Sequence, residues 1–186
     1  MDSLSREELS KRIDEFLICV GPDTAGFMST LIKAAEAKTI VELGASYGYS
    51  TIWLAEAARA TGGKVVSCDV HAGKQDYARE RLKRAGLLSF VEFKHGDALK
   101  TLAQLSGPID FVLLDLWKDL YIPCFDLFYP KLAKGAFILA DNMLYPESAV
   151  KDGKAYRKHI RMKKDLETVL MPIGSGIAVI RLGIDE

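Results

Sequence analysis

Residues 41–50 read "VELGASYGYS". An apolar stretch, "TIVELG", runs into two glycines, Gly44 and Gly48, and an amphipathic stretch, "YSTIWLAEAARA", follows. This pattern is a strand that turns through a glycine loop into a helix. A dinucleotide fingerprint, G-x-G-x-x-G, would place glycine at 46 and 49, where Ser46 and Tyr49 stand. The spacing therefore argues against a bound pyrophosphate, and no Gly-Lys-Ser/Thr follows to make a Walker A loop. The same loop also reads as a plain strand-to-helix turn capped by Ser46 or Ser50.

Outward from this loop the chain keeps one beat. Apolar strands "KVVSCD", "SFVEFKHG", "IDFVLLD" and "GAFILAD" alternate with helical stretches "GKQDYARERLKRAG", a short "ALKTLAQL" and "YIPCFDLFYPKLA". Continuous apolar strands between amphipathic helices predict a parallel sheet covered on both faces. The end differs: "AYRKHIRMKKDL" (155–166) predicts a helix, and "ETVLMPIG" and "SGIAVIRLG" predict two strands joined by a tight turn at 174–176. So short a turn makes that pair antiparallel. At the other end "SREE" (5–8) is a capping box opening a helix with Leu9, Ile13, Phe16 and Leu17 at helical spacing. Gly21-Pro22 breaks it, and a second helix is expected over "TAGFMSTLIKAAEA" (24–37), so that 1–38 form helices covering the site. The expected fold is α/β and doubly wound. It is one domain over 1–186, with a mostly parallel seven-stranded sheet, helices on both faces and an antiparallel hairpin at one edge.

Composition narrows the class. At 186 residues, 49% hydrophobic and 27% charged, the chain is expected to be soluble and globular. Its formal net charge of zero gives no global pull toward nucleic acid or an acidic membrane. Cys19, Cys68 and Cys124 are far apart and form no C-x-x-C pair, which argues against a zinc site or disulfide framework. Cys19 and Cys68 sit among apolar residues and read as core filler. The mixed charges of "MDSLSREELSKRIDEF" are not a signal peptide, and no apolar run approaches about 18 residues. A cytoplasmic protein is expected.

The strand ends carry the chemistry. Asp69 ends the second strand, where an acid can hold both hydroxyls of a ribose or can cap the next helix. "HGD" ends the third and puts Asp97 and Ala98 where an adenine edge would lie. A backbone loop, a ribose acid and an adenine acceptor line one sheet edge, so the ligand looks like an adenosine without phosphates. Asp115 ends the fourth strand; Asp141 and Asn142 end the fifth, expected to be its neighbour. Two carboxylates and an amide oxygen form a hard, all-oxygen set suited to Mg²⁺. Taken singly, Asp115 and Asp141 also read as caps of the segments that follow.

The region from about 40 to 182 resembles the class I S-adenosylmethionine-dependent methyltransferases, which are Rossmann-like. Within them it resembles the small cation-dependent O-methyltransferases of the catechol and caffeoyl-CoA type. "VELGASYGYS" matches their E-x-G-x-x-x-G-x-S loop, and "DLWKDLY" (115–121) and "ADN" (140–142) match their metal and catalytic segments. The resemblance implies methyl transfer from S-adenosylmethionine, with Glu42, Gly44, Ser46, Gly48, Ser50, Asp69, Asp97, Ala98, Asp115 and Trp117 around that cofactor. It implies Mg²⁺ or another hard divalent cation on Asp115, Asp141 and Asn142, and Lys118 as general base. Glu42 would support the loop and the methionine end. Trp117 would cover the adenosine face, with core packing as its other reading. Tyr145-Pro146 would wall the acceptor, and 21–28 would close over the cofactor. Relatives of this kind commonly form homodimers.

One feature opens a rival. Lys151, Lys154, Arg157, Lys158, Arg161, Lys163 and Lys164 face only Asp152 in that stretch. Some relatives methylate a hydroxylated wobble uridine in tRNA, and such a segment could hold RNA phosphates; it also reads as a solvated helix. A non-catalytic S-adenosylmethionine sensor and a nicotinamide-dependent dehydrogenase are further alternatives. The leading expectation is methylation of one hydroxyl of a small aromatic vicinal diol.

Overall fold

The computed structural model describes residues 19–183. The helix expected from the capping box at 5–8 lies outside these residues. The first described helix, α1 (Pro22–Ala34), begins where the sequence reading placed a break: Pro22 occupies the first turn, where its missing N–H costs nothing. It also ends short of the expected 37.

Strand β1 (Thr39–Leu43) then leads through the glycine loop into α2 (Tyr49–Thr61). β2 (Lys64–Asp69), α3 (Ala72–Arg84), β3 (Val91–His95) and α4 (Ala98–Gln104) follow. The second half holds β4 (Ile109–Leu114), α5 (Tyr121–Phe128), β5 (Leu132–Ala140), α6 (Glu147–Ile160), β6 (Leu166–Met171) and β7 (Ile177–Leu182). The seven strands order as β3-β2-β1-β4-β5-β7-β6. β1 to β5 pair in parallel, and β7 pairs antiparallel with both β5 and β6. The expected terminal hairpin is therefore present, with its second strand inserted against β5.

Alternation along β4 shows why the sheet needs helices on both sides. Phe111 and Leu113 face a core with Met28, Ile32 and Leu54 of α1 and α2. Val112 and Leu114 face the opposite core, with Leu102, Phe125 and Tyr156 of α4, α5 and α6. All four β4 residues are fully buried, and each such side chain contributes about 1.5–3 kcal/mol.

Two expectations change. α6 starts at Glu147, before the expected 155, and stops at Ile160, short of the expected 166. Its buried positions, Ala149, Gly153, Tyr156 and Ile160, keep helical spacing, but two of the four are too small to register as apolar. Cys19 is exposed, not core filler, whereas Cys68 and Cys124 are buried. Among the described residues no helix is long and apolar enough to cross a membrane.

Candidate functional site

The chain reverses its strand order between β1 and β4: β2 and β3 lie to one side of β1, β4 and β5 to the other. Ligands of open α/β sheets bind outside the carboxyl ends of strands at such a point. The glycine loop lies there. Gly44 has φ +99°, and a Cβ on it would stand 2.0 Å from the Asp115 carbonyl oxygen, so the exit of β4 packs directly on the loop. Gly48 (φ +83°) caps α2, and a Cβ on it would stand 2.5 Å from Ala78 Cβ of α3. Neither Ser46 nor Ser50 caps the helix; Gly48 stands at its N-cap.

Ser46 also takes a left-handed conformation (φ +46°), and its amide donates to Asp69 Oδ2 at 2.8 Å. The other Asp69 oxygen accepts the His71 amide at 2.8 Å. Asp69 thus holds the loop and the start of α3 while standing at the end of β2. Ser46 Oγ is buried and has no hydrogen-bond partner, which is what a loop shaped for a polar ligand leaves behind. Asp97 caps α4, accepting the Leu99 and Lys100 amides at 2.7 and 3.4 Å, and Ala98 is buried behind it. A cavity of about 590 Å³ opens beside these ends, lined by Tyr47, Val70, His71, Lys74, Tyr77 and His95 among others.

Beneath the loop sits Glu42, fully buried. Ser50 Oγ donates to Oε1 at 2.6 Å, and Thr51 Oγ1 donates to Oε2 at 2.7 Å. Ser67 Oγ, from the residue paired with Glu42 across β1 and β2, also donates to Oε2. Burial pushes the carboxyl from 4.5 up to about 7, outweighing the three hydroxyl bonds that lower it; Asp69 adds a smaller push upward. The sequence reading singled out Glu42 and Ser50 but not Thr51 or Ser67. A lone serine in the apolar run "VVSCD" was the available signal.

The second half of the site spans β4 and β5. The Asp141 amide donates to Leu114 O at 3.0 Å, so Asp115 and Asp141 leave neighbouring strands side by side. Asn142 follows with φ +57°, a conformation that asparagine tolerates better than most residues. Asp141 is 3% exposed, and its Oδ1 has no partner. Burial, with the Asp115 charge next in size, raises its carboxyl to about 7. Burial raises Asp115 as well and lowers Lys118. Lys118 Nζ stands 3.9 Å from Asp115 Oδ1.

Among the described residues no group of three or more His, Cys, Asp or Glu could hold a metal ion. The trio here has an amide as its third member. Two carboxylates, Asp141 buried with an orphaned oxygen and Asp115 with only 11% of its side chain exposed, fit a hard cation, because a cation would offset the desolvation that raises both.

Trp117 is half-buried, and its carbonyl accepts the Leu120 amide at 2.9 Å. Leu144 and Tyr145 are 45% and 55% exposed beyond Asn142. The Met143, Leu144 and Tyr145 amides donate to Gly176 and Ser175 carbonyls of the β6–β7 turn. Residues 22–28 are built into α1, with Thr24, Ala25 and Met28 buried. Lys151, Lys154, Lys158 and Arg161 are exposed along and just past α6, while His159 pairs with Asp126 at 2.8 Å. Tyr121 escaped the sequence reading, although it sits one turn past Lys118. Lys118 Nζ donates to its hydroxyl at 2.5 Å.

Comparison with known proteins gives the family. A family described as O-methyltransferase matches residues 1–182. A catechol O-methyltransferase of Niastella koreensis is 33% identical over 141 residues, covering 74% of this chain and 61% of that protein. A caffeoyl-CoA O-methyltransferase of Nicotiana tabacum is 30% identical over 186 aligned residues, covering 89% of this chain and 77% of that protein. The crystal structure of an O-methyltransferase from Bacillus cereus in complex with SAH superposes with a TM-score of 0.82 at 24% identity. It covers 97% of this chain and 92% of that one, and speaks for the fold. In class, then, the chain is a methyltransferase with a Rossmann-like sheet. It belongs to the O-methyltransferase family.

Proposed function

We propose that this chain transfers the methyl group of S-adenosylmethionine to one hydroxyl of a small aromatic vicinal diol, in a reaction that depends on a divalent cation. The observation that carries the reading is the meeting of Asp115, Asp141 and Lys118 at the paired ends of β4 and β5, beside the glycine loop. The named relatives act on catechol and caffeoyl-CoA, which supports a diol-bearing ring.

The chain's residues divide the work. The N-terminus of α2 has no side-chain cap, so its first-turn amides suit the cofactor carboxylate. Ser46 Oγ and Asp69 offer polar contacts along the loop and toward the ribose, and the cavity beside β2 and β3 suits the nucleoside end. Asp115, Asp141 and Asn142 would hold Mg²⁺, which when bound supplies charge neutralisation at the acceptor oxygens. Lys118 takes the proton of the reacting hydroxyl at Nζ, and its burial favours the neutral amine this requires. The oxygen forms its bond to the methyl carbon in line, the sulfur–methyl bond breaks, and the electron pair stays on sulfur as a neutral thioether. Positioning of the two reactants supplies most of the gain. The reading takes 1–186 as one methyltransferase domain.

The test is incubation with S-adenosylmethionine and a panel of catechols, with Mg²⁺ or with EDTA, followed by mass detection of product. Magnesium-dependent methylation that Lys118→Ala and Asp141→Ala abolish is expected. Cofactor binding by calorimetry with no product from any diol would move the acceptor elsewhere. No cofactor binding would sink the reading.

A further inference from the structure

Tyr121 is fully buried at the start of α5, yet its hydroxyl stands where both site-bearing strands end. It lies 2.8 Å from Leu114 O at the end of β4 and 3.2 Å from Asp141 O just past β5. Lys118 Nζ donates to the same hydroxyl at 2.5 Å and to Leu116 O at 3.0 Å, with the Tyr121 ring centroid 4.4 Å away. The ring is itself held edge-on by Tyr156 at 5.4 Å.

A neutral amine has two N–H bonds and one lone pair. Two acceptors, the Leu116 carbonyl and the Tyr121 hydroxyl, match the two N–H bonds. One direction at Nζ is left over, and Asp115 Oδ1 at 3.9 Å is too far to take it with a hydrogen bond. A phenol suits this place because its oxygen accepts from Lys118 while its own hydrogen goes to a strand carbonyl. Phenylalanine would keep the packing and lose both bonds.

We propose that Tyr121 is a positioning residue: its hydroxyl fastens Lys118 to the paired ends of β4 and β5 and fixes the direction in which Lys118 receives the acceptor proton. This rests on the proposed role of Lys118, but the fastening itself is a property of the chain without ligands.

The test uses Tyr121→Phe in the full chain, with Tyr156→Phe as control. The control also removes one buried phenol oxygen, but one with no hydrogen-bond partner. Each protein, free of cofactor, is treated with a lysine-acylating ester, and Lys118 modification is followed by mass spectrometry. Lys118 is 12% exposed at its side chain and should react slowly in the parent and the control. It should react severalfold faster in Tyr121→Phe, at a thermal midpoint close to the control's. Equal rates in all three proteins, or equal acceleration in both variants, would overturn the proposal.

With catechol and Mg²⁺, Tyr121→Phe should lower kcat about tenfold or more with acceptor KM within about twofold, and Lys118→Ala should mask the effect in the double variant. A rise in KM at constant kcat, or full additivity with Lys118→Ala, would also overturn it. The two readings fail separately. A parent that methylates no diol while Tyr121→Phe still frees Lys118 refutes the reaction and keeps the fastening. An active parent with unchanged Lys118 labelling does the reverse.

Discussion

Replacing Glu42 with glutamine isolates the electrostatic cost of the cage under the glycine loop. The carboxyl moves from 4.5 in the ordinary state to about 7 when folded, about 2.5 pH units. At about 1.36 kcal/mol per unit, the folded state disfavours the charged form by about 3 kcal/mol. Between pH 4.5 and about 7 the unfolded chain has released this proton and the folded chain still holds it. Stability must then fall as pH rises through that window, and the loss is complete above it.

Glutamine keeps the shape, cannot ionise, and can still exchange hydrogen bonds with rotatable Ser50, Thr51 and Ser67 hydroxyls. Urea unfolding of both proteins at pH 5 and pH 8 measures the effect as a difference of differences, in which all other titrating groups cancel. The parent should lose about 2.5 kcal/mol relative to Glu42→Gln across that interval. For a chain of this size that is roughly 5–10 °C in thermal midpoint. A parent–variant difference that does not change with pH would refute the reasoning. It would mean that the three hydroxyl donors already pay for the charge and that Glu42 is ionised throughout.

Other outcomes follow from the same geometry. Gly44→Ala should prevent folding or abolish cofactor binding, since its Cβ would lie 2.0 Å from the Asp115 carbonyl on a backbone that already has φ +99°; circular dichroism and calorimetry separate the two. Asp141→Asn should melt above the parent at pH 8 in EDTA, by more than at pH 5, because burial raises Asp141 to about 7 and its stability cost grows as pH rises from 3.8 to that value. Adding Mg²⁺ should raise the parent's midpoint and leave that of Asp141→Asn unmoved. Phe111→Ala, at a fully buried strand position, should cost about 3–5 kcal/mol in urea unfolding. Reversing Lys151, Lys154 and Lys158 to glutamate should leave turnover of an uncharged catechol within about twofold, because these exposed side chains have no phosphate to hold there; a large loss would show that this face of α6 shapes the acceptor site itself.

The sequence by itself determined the order of elements and the family. Period and run length in "IDFVLLD" and "GAFILAD" are properties of single segments, so two buried parallel strands were legible without any neighbour. The spacing of Gly44 and Gly48 argued against a pyrophosphate loop because close backbone approach needs glycine at fixed offsets. Asp115, Asp141 and Asn142 were legible because acids at strand ends fall on one edge of any such sheet. Tertiary structure alone decided what depends on which segment comes alongside. Ser67 became a donor to Glu42 only because β2 lies against β1 in that register. Tyr121 ties Lys118 to the strand ends only because α5 returns its hydroxyl to the ends of β4 and β5. The start of α6 was hidden by Ala149 and Gly153, whose burial reflects close packing and leaves no hydrophobic signal in the sequence. A residue's pattern can announce its own segment; its partner across the fold is set by the sheet order, which no local periodicity encodes.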